Sequence, residues 1–322
     1  MTETRTIVLS AFDGVTLTDI VSPADVFVMT NTCRRPEAPP YAVIVSSVAG
    51  GLVRASSGLA LDTRPLDQLA GLSIHTLMIA GGGPPEAPPV PSDLVAWLAR
   101  NGGAARRICT VCTGSFLAAA AGLADGRRLT THWESVAAMQ AAYPEVVVEK
   151  DPIFVRDGAL WSSAGFSAGV DLALALVEED HGLPIALAVA RKLIMFVKRS
   201  GGQPQFSSPL ELQSAGDPTF ARLHAWMADS LGADLSVEVL ARQVNMTART
   251  FARHYAERVG RTPGKTVEAL RLDAACRALA EPGLSIKVVA QKSGFRNEQA
   301  LRRAFNHNFG MSPDRYRDTA AA

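Results

Sequence analysis

Cys112 heads the tetrapeptide Cys112-Thr113-Gly114-Ser115, set between the apolar run 107–111 and an alanine-rich stretch that reads as a helix. A strand that turns sharply into a helix through small residues is the geometry of a nucleophile elbow, although Thr110 stands where the hydrolase pattern has glycine. Such a turn aims N–H groups and the positive end of a helix at the side chain, and both favour thiolate over thiol. A second group with chemistry, Asp19, follows the first apolar run, 6–11. The plainer reading makes Asp19 a first-turn helix carboxylate and nothing more. The elbow predicts that Cys112 outpaces Cys33, Cys109 and Cys276 in alkylation, while an ionised Asp19 pulls the other way.

Two further features could line a site. Gly81-Gly82-Gly83 could bring N–H donors close to a bound oxyanion or carboxylate, or could simply turn the chain into the proline-rich segment that follows. His132, in LTTHWE, could approach from a neighbouring loop, though a lone histidine is more often structural.

These residues need a scaffold. Strand-length apolar runs at 6–11, 41–48, 76–82 and 107–111 alternate with helical stretches at 18–30, 91–100, 113–121 and 167–179. That alternation predicts an α/β fold with a mostly parallel sheet covered on both faces. Ligand sites in such folds lie beyond the carboxyl ends of the strands, where Asp19, the glycine turn and Cys112 all fall. A chain of 322 residues exceeds the usual size of one core and predicts two domains. Four cysteines suit a reduced intracellular protein better than a disulfide framework. No signal peptide or membrane span is read, and no metal or cofactor is expected, so a cytoplasmic location follows.

The net charge of +1 hides an asymmetry. Residues 219–322 hold 16 Lys and Arg against 10 Asp and Glu, and the rest of the chain holds 16 against 21. A basic tail on an acidic body points to a polyanionic partner. The tail also repeats itself. Residues 235–263 and 284–313 align with an offset of 49 before a turn and 50 after it. Each copy opens with a serine suited to N-capping, Ser236 or Ser285, turns at Asn245 or Gly294, and ends its second helix at a glycine followed by proline. A short helix, a tight turn and a longer helix make a helix-turn-helix, whose second helix enters the major groove. Residues 266–283, with Val267, Leu270 and Ala274 on one face, read as the joining helix.

Residues 219–317 resemble the AraC-type DNA-binding domain, most recognisably in GFRNEQALRRAFNHNFGMSPDRYR, residues 294–317. The resemblance makes Phe295, Leu301, Phe305, Pro313 and Tyr316 scaffold. It makes Thr247, Arg249, Thr250 and Arg253 DNA-facing in the first unit, and Asn297, Glu298, Gln299 and Arg303 in the second. Residues 5–198 resemble the ThiJ/PfpI superfamily, related to class I glutamine amidotransferases, which implies a flavodoxin-like sandwich. In that superfamily an acidic residue near the first strand hydrogen-bonds the elbow cysteine, which implies that Asp19 partners Cys112. A carboxylate can hydrogen-bond a thiol or accept its proton, and two such anions repel, so the implied pair would share a proton over part of the pH range. The set Asp19, Cys112, Thr113 is similar to that of isocyanide hydratases. PfpI-type proteases place histidine after the cysteine, whereas this chain has Thr113. As a whole the chain resembles GlxA-type regulators of the AraC family. The implied organisation is a sensing domain at 1–198, a linker at 199–218 and a DNA-binding domain at 219–322. The implied partners are promoter DNA, a small-molecule effector and a second copy of the chain. The competing reading is a thiol-dependent enzyme with an accessory DNA-binding domain.

Overall fold

The structure, a computed structural model, describes all residues except 1–3, 196–198, 200, 203–204, 206–217, 260, 280–282, 310–311 and 322. It divides into two compact units, residues 1–205 and 206–321.

The first unit is built on an eight-stranded sheet. Its strands are β1 (Arg5–Ser10), β2 (Tyr41–Ser47), β3 (Gly51–Arg54), β4 (Ala60–Pro65), β5 (Ile74–Ile79), β6 (Arg107–Val111), β9 (Phe154–Asp157) and β10 (Leu160–Ser163). The order is β3-β4-β2-β1-β5-β6-β10-β9, and the outermost pair at each edge is antiparallel while the rest run parallel. A pair of two-residue strands, β7 (Arg128–Leu129) and β8 (Val147–Val148), lies outside it. The central strands are apolar at consecutive positions because both faces are covered: Ile7, Val8, Leu9, Leu77 and Ile79 have no exposed surface. The helices α1 (Leu17–Cys33), α5 (Ser167–His181) and α6 (Leu183–Lys192) pack on one another, as do α2 (Ser92–Asn101) and α3 (Gly114–Ala120). A short α4 (Val136–Ala142) completes the unit.

The four strands expected from apolar runs are β1, β2, β5 and β6, and the four expected helices are α1, α2, α3 and α5. The edge strands escaped because they carry no apolar run. β3 and β4 each bury a single residue, Val53 and Thr63. At the amino ends of the parallel strands, Arg107 is buried and bonds both oxygens of Asp180, at 2.6 and 3.1 Å. A buried guanidinium without that partner would be strongly destabilising, so this end of the sheet is locked and the opposite end is left for function.

The second unit is helical: α7 (Pro218–Asp229), α8 (Val237–Gln243), α9 (Ala248–Val259), α10 (Pro263–Leu279), α11 (Ile286–Lys292), α12 (Glu298–Phe309) and α13 (Pro313–Ala321). It has two cores. Phe220, Leu240, Phe251, Tyr255, Val267 and Leu270 form one, and Leu272, Ala275, Leu279, Val289, Leu301 and Phe305 the other. The joining helix α10 thus feeds both. The sequence placed Ala274 on its apolar face. It is only half-buried, and Ala275 takes its place, because the buried face rotates as the helix passes between cores. The two turns are alike in backbone: Asn245 has φ 54° and Gly294 has φ 78°. A Cβ at Gly294 would fall 1.9 Å from the Leu231 carbonyl oxygen, which Arg271 also holds by two hydrogen bonds, so only glycine closes this turn. Ser285 caps α11 through the Val288 N–H as expected, whereas the Ser236 side chain makes no cap bond. Among the described residues no helix is long and apolar enough to cross a membrane.

Candidate functional site

Cys112 follows β6 directly and adopts φ 57°, a left-handed conformation rare outside glycine and asparagine. Holding it there costs on the order of 1–3 kcal/mol, so the surroundings must enforce it. They do so from three sides. The Cys112 N–H donates to the Ser163 carbonyl at 2.9 Å. The Thr131 hydroxyl donates to the Cys112 carbonyl at 3.2 Å, and the Ser115 hydroxyl donates to Thr131 at 2.9 Å. Gly165 presses on the cysteine so closely that a Cβ there would stand 2.9 Å from Sγ. The strand-turn-helix geometry is therefore present at Cys112, and Thr131, Ser163 and Gly165, which the sequence did not flag, hold it in place. Only contacts between distant segments reveal them.

The three strand-end features converge. Thr113 Oγ1 accepts from the Gly82 N–H at 2.9 Å and lies 3.1 Å from the Gly82 carbonyl. A Cβ on Gly81 would strike the Thr113 nitrogen and hydroxyl, so the glycines permit this close approach. Gly83 instead packs on Pro89, at the start of the proline-rich loop. Asp19 lies in the first turn of α1 with no exposed surface. Its Oδ1 accepts the Phe166 N–H at 3.2 Å, and its Oδ2 makes no hydrogen bond. Phe166, at φ 47° and half exposed, was also missed; it leaves β10 through Gly165 and begins α5. His132 does not reach these polar atoms by any hydrogen bond. Its ring lies against Trp133 at 5.7 Å and Phe166 at 6.5 Å between centroids, at the rim. Burial lowers its pKa, so the ring is neutral near pH 7.

The electrostatics overrule the elbow's preference for thiolate. Burial raises the Asp19 carboxyl to about 6, and the N–H groups of Phe166 and Gly81 offset only part of this. Burial, and then the charge of Asp19, push the Cys112 thiol to about 12, against weaker help from the Thr113 N–H and hydroxyl. That hydroxyl proton has a competing acceptor in the Gly82 carbonyl. The two groups behave as a pair holding one proton across the neutral range. Cys109, wholly buried in β6, is likewise raised to about 12 by burial, so the elbow confers no acidity advantage over it. Cys109 and Cys112 stand three positions apart in the chain, yet among the described residues no group of three or more His, Cys, Asp or Glu could hold a metal ion.

In the helical unit the DNA-facing candidates divide by task. Arg249, Arg253, Gln299 and Arg303 are exposed on α9 and α12. Thr247 and Asn297 sit just before those helices and cap them: Thr247 Oγ1 accepts the Thr250 N–H at 3.3 Å, and Asn297 Oδ1 accepts the Ala300 N–H at 2.9 Å. The Thr247 hydroxyl also meets that of Thr250 at 3.0 Å. Glu298 takes both Nε and Nη2 of Arg302, which also bonds Asp314. The scaffold residues Leu301, Phe305, Pro313 and Tyr316 are buried and Phe295 partly so. Tyr255 gains a partner that phenylalanine would lack, His224 Nε2 at 2.7 Å.

Comparison with known proteins now identifies the scaffold. The DJ-1/PfpI family model matches residues 5–179, and a helix-turn-helix domain model matches residues 240–319. The chain belongs to the DJ-1/PfpI family. It joins that family's domain to an AraC-type helix-turn-helix domain. It is 29% identical over 283 residues to the HTH-type transcriptional regulator CdhR of Pseudomonas aeruginosa, spanning 88% of this chain and 83% of that one. It is also 29% identical over 275 residues to the HTH-type transcriptional regulator GlxA of Rhizobium meliloti, spanning 85% and 84%. A crystal structure of an AraC family transcriptional regulator from Pseudomonas putida matches 59% of this chain and all of its own, with TM-score 0.52 and 21% identity. It shares the fold of the α/β unit.

Proposed function

We propose that the chain is a DNA-binding transcriptional regulator whose α/β unit binds a small metabolite at the Cys112–Asp19 site. One observation carries the reading: two helix-turn-helix units with matching left-handed turns are fixed by a single helix shared between their cores. They present exposed arginines and a glutamine on the two second helices, in the basic part of the chain. The kinship with named transcriptional regulators supports it. A buried carboxyl with an unpaired oxygen, beside a strained elbow and an aromatic rim, supports ligand binding at the other unit. A homodimer in the cytoplasm is part of this proposal. The competing thiol enzyme needs thiolate at neutral pH, and the upward push on Cys112 speaks against it.

The test is to sequence the genomic fragments that the purified chain retains and to assay metabolites of the neighbouring genes. Cys112→Ser should keep DNA binding and change the response to the metabolite. Loss of DNA binding in that variant, with the fold intact, would contradict the division of labour.

A further inference from the structure

The segment Arg199 to Gln205 reads as linker in the sequence, yet every described side chain in it that could make an anchor does so on the α/β unit. The Arg199 N–H donates to Asp171 Oδ1 at 2.9 Å and its Nε donates to Asp171 Oδ2 at 2.8 Å, on a carboxylate with no exposed surface. Arg199 Nη2 reaches the Ser167 hydroxyl at 2.8 Å. Gly201 lies on Phe154: a Cβ there would stand 2.6 Å from the Phe154 carbonyl oxygen, and the Phe154 N–H donates to the Gly201 carbonyl. The Gln205 N–H donates to the Asp151 carbonyl at 2.8 Å. Its amide donates to the Thr131 carbonyl at 2.9 Å and the Thr130 hydroxyl at 3.1 Å.

Three of these anchors, Ser167, Phe154 and Thr131, adjoin the site at the carboxyl end of the sheet. Ser167 follows Phe166, whose N–H holds Asp19. Phe154 pairs with Ser163, the carbonyl that fixes the Cys112 N–H. Thr131 gives its carbonyl to Gln205 and its hydroxyl to the Cys112 carbonyl. Beyond Gln205 the chain leads to the helical unit. We propose that Arg199, Gly201 and Gln205 form a strap that reads the Cys112 site and relays its occupancy to the DNA-binding unit. A ligand that moves Phe166 or Thr131 alters the strap's anchors, and by linkage an undocked strap loosens the site to the same extent. The relay rests on the regulator reading above; the docking of the strap on the site does not.

The test uses the full chain and two probes, iodoacetamide on Cys112 at pH 9 and the DNA fragment that the unchanged chain retains. Gln205→Ala and Arg199→Ala should each speed Cys112 alkylation at least about threefold and shift the DNA dissociation constant by a similar factor. Lys192→Ala, which removes only a contact to Thr32, should match the unchanged chain in both. Alkylation rates equal to the unchanged chain's overturn the strap. Faster alkylation with unaltered DNA affinity overturns the relay. Should Arg199→Ala not fold, Gln205→Ala decides alone. A chain that retains no DNA at all sinks the regulator reading, while the alkylation rates still judge the strap.

Discussion

The N–H of Phe166 donates to Oδ1 of Asp19 at 3.2 Å, across 147 residues of sequence, and leaves Oδ2 without a partner. That bond ties the half-exposed rim of the site to its buried floor, and together with the Gly81 N–H it offsets only part of the burial that holds the carboxyl at about 6.

A stability signature follows. The folded pKa lies above the ordinary 3.8, so the native state binds the extra proton between those values. Asp19 therefore contributes stability that is fully present below about pH 4 and is lost as pH rises through about 6. Asp19→Asn should be more stable than the unchanged chain at pH 8, by up to about 3 kcal/mol, with the gain vanishing near pH 4. Urea melts at the two pH values check this, and a difference that does not change with pH contradicts it.

The same substitution should act on the thiol. Removing the Asp19 charge takes away the second largest cause of the upward push on Cys112. Iodoacetamide should then modify Cys112 faster in Asp19→Asn than in the unchanged chain at pH 8, as read by mass spectrometry of partly alkylated protein. An equal or slower rate would mean that the two groups do not interact.

Much of this was legible in the sequence, and the reasons differ by residue. Cys112, Thr113 and the Gly81-Gly82 turn announce themselves because small residues between an apolar run and a helix leave few other conformations. Asp19 was visible by its place after β1. Phe166, Gly165 and Thr131 were not, since their roles come from backbone groups brought together by the parallel crossovers, and a backbone N–H has no residue type. The direction of the thiol shift was also hidden: the elbow's N–H groups are local, but the desolvation that outweighs them belongs to the whole core. In the tail, the repeat exposed both helix-turn-helix units, while β3 and β4 went unread for want of apolar residues. Arg199 and Gln205 looked like linker because polarity, not packing, is what composition reports.

The caps of the second helices can be separated from base reading. Asn297→Ala should destabilise the helical unit by about 1 kcal/mol through loss of the bond to Ala300, and should weaken DNA binding. Asn297→Asp keeps the cap, so thermal stability should return. If DNA affinity returns with it, Asn297 is a cap only; if affinity stays low, Asn297 also meets the DNA.

Gly294→Ala should be among the most damaging single changes in the helical unit. It adds a Cβ at φ 78°, against the Leu231 carbonyl oxygen. The expected loss is more than about 1 kcal/mol, measured as a fall in midpoint of denaturant unfolding. Asn245→Gly, at the matching turn, should be tolerated because glycine adopts φ 54° freely.

Both second helices should read one duplex. Footprinting of the full chain on its retained fragment tests this most directly. Protection is expected on two successive major-groove faces about 34 Å apart on one side of the helix. Arg249→Ala and Gln299→Ala should each cost about 1–3 kcal/mol and relax base preference in a different half of the site. Protection of no duplex at low salt, or two variants that relax the same half, would contradict it.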